Sequence, residues 1–144
     1  DLPWERIEHP RAANMFEAFP RVAFHDYTKY PLERRPPASL PHNYHLTMSL
    51  SEHNDMDAAY ALTRGRNVAV VFRGRVPDTF AGYKVVDGDA HDLRFLDESP
   101  RIVGLIVKGN RAKRSESPFI RNGTDSGFRI PEASKAPEKI FLEA

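Results

Sequence analysis

Apolar positions along this chain come in short runs separated by turn and charge signals, and only one run has helical spacing. Asp1-Leu2-Pro3-Trp4-Glu5-Arg6-Ile7 reads as a short helix start, with Asp1 as N-cap and proline in the first turn. Asn14 to Phe19 reads as a second short turn, stopped by Pro20. Val22-Ala23-Phe24-His25-Asp26-Tyr27 has strand character and is closed by Lys29-Tyr30-Pro31. Pro31 to Pro41 is rich in proline and arginine and predicts an exposed loop, because proline disrupts both helix and central strand. Tyr44 to Leu50 is a second strand.

Asn54 to Arg64 is the clearest helix. Asn54 stands at its N-cap, Asp55 and Asp57 suit the positive end of the dipole, and Gly65 sits where a left-handed residue ends a helix. Its expected buried stripe is Met56, Ala59, Tyr60 and Thr63. The run Asn67-Val68-Ala69-Val70-Val71-Phe72 is apolar without alternation, as in a strand covered on both faces. Phe80 to Val86 and Ile102 to Val107 complete the apolar segments. A helix between two strands is the signature of a right-handed parallel crossover. The expected fold is therefore α/β: a mostly parallel or mixed sheet of about five strands, with few helices. Residues 1–121 form one domain in this reading, and 122–144 a poorly ordered or only weakly docked tail rich in glycine, serine, proline and charge.

Composition changes the picture little. The 144 residues are 40% hydrophobic and 28% charged, with a net charge of +1, so the whole-molecule field draws in neither nucleic acid nor an anionic membrane. The chain has no cysteine, which removes disulfides, thiolate metal ligands and cysteine nucleophiles. No apolar run approaches the roughly 18 residues of a membrane span. A cytoplasmic protein is the expectation.

The distribution of charge matters more. In parallel α/β architectures, sites gather at the carboxyl ends of strands. That rule selects Asp26 and Lys29 after the first strand, Asp89, Asp92 and Arg94 in the acidic stretch after the fourth, and Lys108 after the last, as the lining of a polar ligand pocket. Asp89 and Asp92 are the candidate ligands for a hard divalent cation such as Mg²⁺, which typically takes one or two carboxylates plus substrate phosphates. The competing reading of Asp87-Gly88-Asp89 is a turn with ion pairing. Arg111, Lys113 and Arg114 follow Lys108 in a basic run that suits nucleic-acid phosphates, although no aromatic side chains are interleaved for base stacking. His25 is expected to be a buried histidine bonded to backbone.

Several blocks stand in a distinctive order: Phe24 to Lys29, Asn43 to Ser49, Asn67 to Phe72, Gly82 to Asp89 and Asp92 to Asp97. Over about residues 14–121 they resemble the C-terminal portion of a family of phage- and plasmid-borne proteins of the mycobacteriophage "gene product 88" type. The resemblance implies part of a partial (β/α) barrel related to radical S-adenosylmethionine enzymes, whose cysteine-bearing half would precede this segment. Three functions follow as expectations. One is a mobile-element protein with a pocket for a phosphate-bearing or nucleic-acid ligand. A second is an interaction protein that docks on a host complex through the Pro31–Pro41 loop, with Arg34 and Arg35, and the basic run. The third is the C-terminal half of a larger enzyme.

Overall fold

The computed structural model describes residues 1–131. Seven strands make one sheet: β1 (Phe24–Thr28), β2 (Tyr44–Ser49), β3 (Val68–Arg73), β4 (Thr79–Phe80), β5 (Tyr83–Asp87), β6 (Ile102–Ile106) and β7 (Ile120–Asn122). Their order is β1-β2-β3-β6-β5-β4, and β7 also pairs with β3. Every pairing is parallel except the β4–β5 hairpin. The α/β class and the mostly parallel sheet agree with the sequence reading. The single run expected over Phe80–Val86 is instead a tight hairpin, turned at Ala81 and Gly82, both of which have positive φ.

Register positions everything that follows. β1 and β2 pair over five positions, from Phe24↔Tyr44 to Thr28↔Met48. β2 meets β3 only at Met48↔Val68 and Ser49↔Ala69. The lower part of β2, from Tyr44 to Thr47, therefore runs past the start of β3 with no strand on that side. Higher up, β7 takes over the same flank of β3, pairing from Val71↔Ile120 to Arg73↔Asn122.

The core forms on the face where even-numbered residues of β2 and β3 point. Met48, Val68, Val70, Phe72 and Ile102 pack there against Ala58, Ala61 and Leu62 of helix α2 (Asp55–Thr63), with Phe80 beside them. The helix turns a different face inward from the expected stripe. Met56 and Tyr60 are exposed, while Ala58, Ala61 and Leu62 are buried. Two alanines bring the helix axis close to the sheet, and the outward Tyr60 ring lies under the Arg64 guanidinium at 5.3 Å. Gly65 takes the left-handed conformation predicted for it. Asn54 stands at the N-cap position but spends its side chain on the preceding loop, accepting from the Ser51 N–H and donating to the Ser49 carbonyl.

The opposite face is covered by the segment 88–100 between β5 and β6. Gly88 lies so close to the sheet that a Cβ there would sit 2.6 Å from Val103 Cγ1. Phe95 rests on His25 and His45, which are register partners on β1 and β2. No backbone bond holds His25 Nδ1, contrary to the expectation; it is buried with no partner among the described residues. The stretch after Arg121 is described as far as Pro131, where Phe128 packs on Phe80 and the Arg129 N–H donates to Asp55 Oδ2. Residues 132–144, within the expected tail, lie outside the described residues.

Candidate anion-binding cleft

The residues selected at the carboxyl edge are divided among three places. Asp26 accepts the Tyr27 N–H at 2.7 Å and the Tyr44 hydroxyl at 3.4 Å, on the side of the sheet that carries Arg35. Lys29 is exposed at the rim of a neighbouring depression lined by Asp26, Thr28 and Ser49. Asp89 and Lys108 pair with each other at 2.6 Å, and the second Asp89 oxygen accepts the Ile106 N–H at 2.7 Å. Those two donors hold the Asp89 carboxyl below the usual carboxylate range, Lys108 first and then the amide. Asp92 is exposed, and among the described residues no three His, Asp or Glu side chains converge as metal ligands. A Mg²⁺ ion at Asp89 would have to displace Lys108.

The basic run forms a one-turn helix, α3 (Asn110–Lys113). Arg73, at the end of β3, donates to the carbonyls of Lys113 and Ser115 and so pins this turn against the sheet. Arg111, Lys113 and Arg114 are left exposed on it.

Four arginines are buried, and sequence reasoning singled out only Arg94 as a site residue and placed Arg35 on a docking surface. Arg35 is 1% exposed, which removes it from the expected docking surface, while Arg34 stays exposed. Its guanidinium donates to both Glu5 oxygens, to Asp1 and to the Tyr44 hydroxyl, which binds the first residues of the chain to the Pro31–Pro41 loop. Burial opposes the charge on Arg35, but the Glu5 and Tyr44 hydrogen bonds outweigh it and raise its pKa. Arg121 lies wholly inside and pairs with Asp55 at 2.7 Å. Arg94 is 3% exposed. It donates to the His91 carbonyl at 2.5 Å and lies 3.4 Å from Asp97 Oδ2, an ion pair whose angle does not make a hydrogen bond.

Arg66 differs from the other three. It is 5% exposed and donates through Nη2 to the Arg35 carbonyl at 2.9 Å. Its Nη1 has no partner, and no carboxylate pairs with it among the described residues. Burial, and then the positive charge of Arg35, push its guanidinium down to about 10. A buried charge without a partner is among the costlier features a fold can carry.

Arg66 and Arg94 line the same cleft, of about 320 Å³, formed where the lower part of β2 has no neighbour. Pro37, Leu40, Pro41 and Phe95 make its apolar wall, and His45 stands on the β2 side. Partial burial and the neighbouring His25 lower the His45 pKa, so the ring is held toward its neutral form. Arg64, Gly65 and Asn67 close the cleft at the start of β3, opposite the strand ends that the carboxyl-edge rule selects. Asn67 fixes that end by donating to the Glu98 carbonyl and accepting the Arg101 N–H. The sequence signal was available: Arg64-Gly65-Arg66 sets two arginines about a helix-ending glycine, directly before a strand with no surface to spare for a charge.

No curated protein and no solved structure matches the chain. A family model described as Gene product 88 matches residues 1–130, nearly the whole of what the structure describes. With the match running from the Arg35 clasp through the cleft to the docked segment after β7, this chain belongs to the phage family Gene product 88.

Proposed function

We propose that the protein binds a phosphate-bearing ligand in the cleft beside the lower part of β2. The observation that carries this reading is Arg66, a buried cation with no carboxylate partner among the described residues, which lines a cleft together with Arg94. A bound phosphate would supply the missing negative charge in a site where little water screens it, and planar guanidinium forks suit phosphate oxygens. The test is calorimetric titration of the wild-type chain, Arg66→Met and Arg94→Met with pyrophosphate at low salt. Binding by the wild type, lost in Arg66→Met and weakened in Arg94→Met, is expected. Equal binding by all three proteins would refute the reading.

A separate observation favours a second role. Arg73 holds the α3 turn so that Arg111, Lys113 and Arg114 project from the carboxyl edge, as a contact with nucleic-acid phosphates would require. Retardation of duplex DNA on a gel, with a steep loss on adding salt, is the measurement. Retardation unchanged by Arg111→Ala/Lys113→Ala/Arg114→Ala would exclude this surface.

A further inference from the structure

In parallel pairing, alternate residues direct both their N–H and C=O to the same flank. On β2 the Met48 N–H donates to the Asn67 carbonyl and the Leu50 N–H to the Ala69 carbonyl, so even-numbered residues face β3. Tyr44 and Leu46 therefore face the same way, below the point where β3 begins. The Tyr44 N–H is taken by the Pro41 carbonyl at 3.0 Å. Leu46 is different: neither its N–H nor its C=O meets a partner among the described residues, and the residue lines the cleft. Leu46 thus presents one backbone donor beside one backbone acceptor, with the Tyr44 carbonyl as a further acceptor on the same flank. Leu46 is half-buried, so with no protein partner this pair is open to water or to a ligand.

We propose that the ligand is a nucleotide monophosphate unit, whose base pairs edge-on with Leu46 while its phosphate meets Arg66 and Arg94. This rests on the cleft being the phosphate site argued above. A nucleobase carries an adjacent donor and acceptor on its Watson–Crick edge, for instance the imino N–H and O4 of uracil, or the N6 amino group and N1 of adenine. That edge needs two backbone groups, which is what Leu46 provides. An added peptide strand would need a longer run of unpaired backbone, whereas the Tyr44 N–H is taken by Pro41 and Met48 is already paired with β3. The apolar wall of Pro37, Leu40, Pro41 and Phe95 gives the base a dry flank. The volume of about 320 Å³ falls at the small end of ligand pockets, which span roughly 300–1,000 Å³. Because one donor and one acceptor suit every base, the site selects for a base without selecting strongly among bases.

Calorimetric titration of the full chain with UMP, AMP, ribose 5-phosphate and 3-methyluridine 5′-monophosphate tests this. UMP and AMP are expected to bind at least tenfold more tightly than ribose 5-phosphate. The 3-methyl compound, which lacks the imino proton, should fall back to the ribose 5-phosphate level. In a ¹⁵N-leucine-labelled sample, the Leu46 amide resonance should move with UMP and hold still with ribose 5-phosphate. A 5′-phosphorylated tetranucleotide identifies the source: with either ligand bound in an Arg66-dependent way, the tighter one shows whether the unit is free or the end of a strand. Ribose 5-phosphate binding as tightly as UMP, with both lost in Arg66→Met, would overturn the base contact and leave the phosphate site standing. No Arg66-dependent binding of any phosphate, pyrophosphate included, would overturn both.

Discussion

Replacing Arg66 by methionine should stabilise the protein, whereas the same replacement at Arg121 should unfold much of it. Both guanidiniums are nearly sealed from water, and they differ in what faces them. Arg66 is pushed down to about 10, Glu5 offsetting only part of the effect and no carboxylate pairing with it, and that depression amounts to about 3 kcal/mol at roughly 1.4 kcal/mol per tenfold change in the proton equilibrium. Screening through the open side of the cleft reduces the figure to about 2 kcal/mol. The sign is fixed: the folded value lies below the unfolded one, so the penalty is complete at neutral pH and lifts only as pH rises through about 10. Methionine removes this cost and forfeits the hydrogen bond to the Arg35 carbonyl, worth about 1 kcal/mol. The net is a gain of about 1 kcal/mol, or about 3 °C in Tm for a chain of this size. Arg121→Met strands Asp55 in the interior, a loss of about 3–5 kcal/mol. Thermal and urea unfolding followed by far-UV circular dichroism reads both variants. Pyrophosphate should raise Tm in the wild type and leave Arg66→Met unmoved. Arg66→Met destabilised to the same extent as Arg121→Met would refute the reasoning, since it would mean that the fold already compensates the Arg66 charge.

Burial raises the Glu5 pKa, but its hydrogen bonds to Arg35 prevail and hold it below the ordinary value. The clasp it makes is thus complete above the ordinary carboxyl range and is lost as pH falls through the lowered value, so the fluorescence of Trp4, the one tryptophan, should shift before the far-UV signal does. Coincident acid transitions, or an unaltered profile in Glu5→Gln, would count against that order. Gly88→Ala should cost about 1–3 kcal/mol in urea unfolding, because a Cβ would meet Val103 Cγ1 at 2.6 Å and the Gly104 carbonyl at 2.9 Å; a neutral result would show that segment 88–100 can lift from the sheet. The Arg111→Ala/Lys113→Ala/Arg114→Ala variant should titrate with pyrophosphate like the wild type, since α3 and the cleft sit at opposite ends of the sheet. A large loss there would mean that the two positive regions act on one ligand.

The strands and the long helix could be read from the sequence because each obeys a local rule: uninterrupted apolar runs at β3 and β6, and a glycine after Arg64. The inward face of α2 could not. With Met56 and Tyr60 as its bulkiest candidates, the pattern pointed to the wrong stripe, because what decides the face is how closely alanine lets the helix approach. β7 escaped notice because three residues have no period, and because it extends a flank that β2 vacates. Asp89 and Lys108, both expected to line a ligand pocket, instead pair with each other. The cleft was invisible for a different reason. It arises from a register offset between β2 and β3, and register depends on pairings that no single segment records. The rule that favours carboxyl strand ends also directed attention away from the amino end of β3, where Arg66 lies.

The bond between Arg121 and Asp55 spans 66 positions of chain. On a ribosome adding about 5–20 residues per second, the carboxylate at the head of α2 is therefore made roughly 3–13 s before its arginine exists. Until then Asp55 has no arginine to meet, and a core closed over it in that interval would hold an uncompensated anion. Arrival of the β7 segment neutralises that anion and, in the same movement, caps the open flank of β3. Polypeptides released short of residue 120 would lack both, and they are the species a cell's quality-control proteases would meet as incomplete.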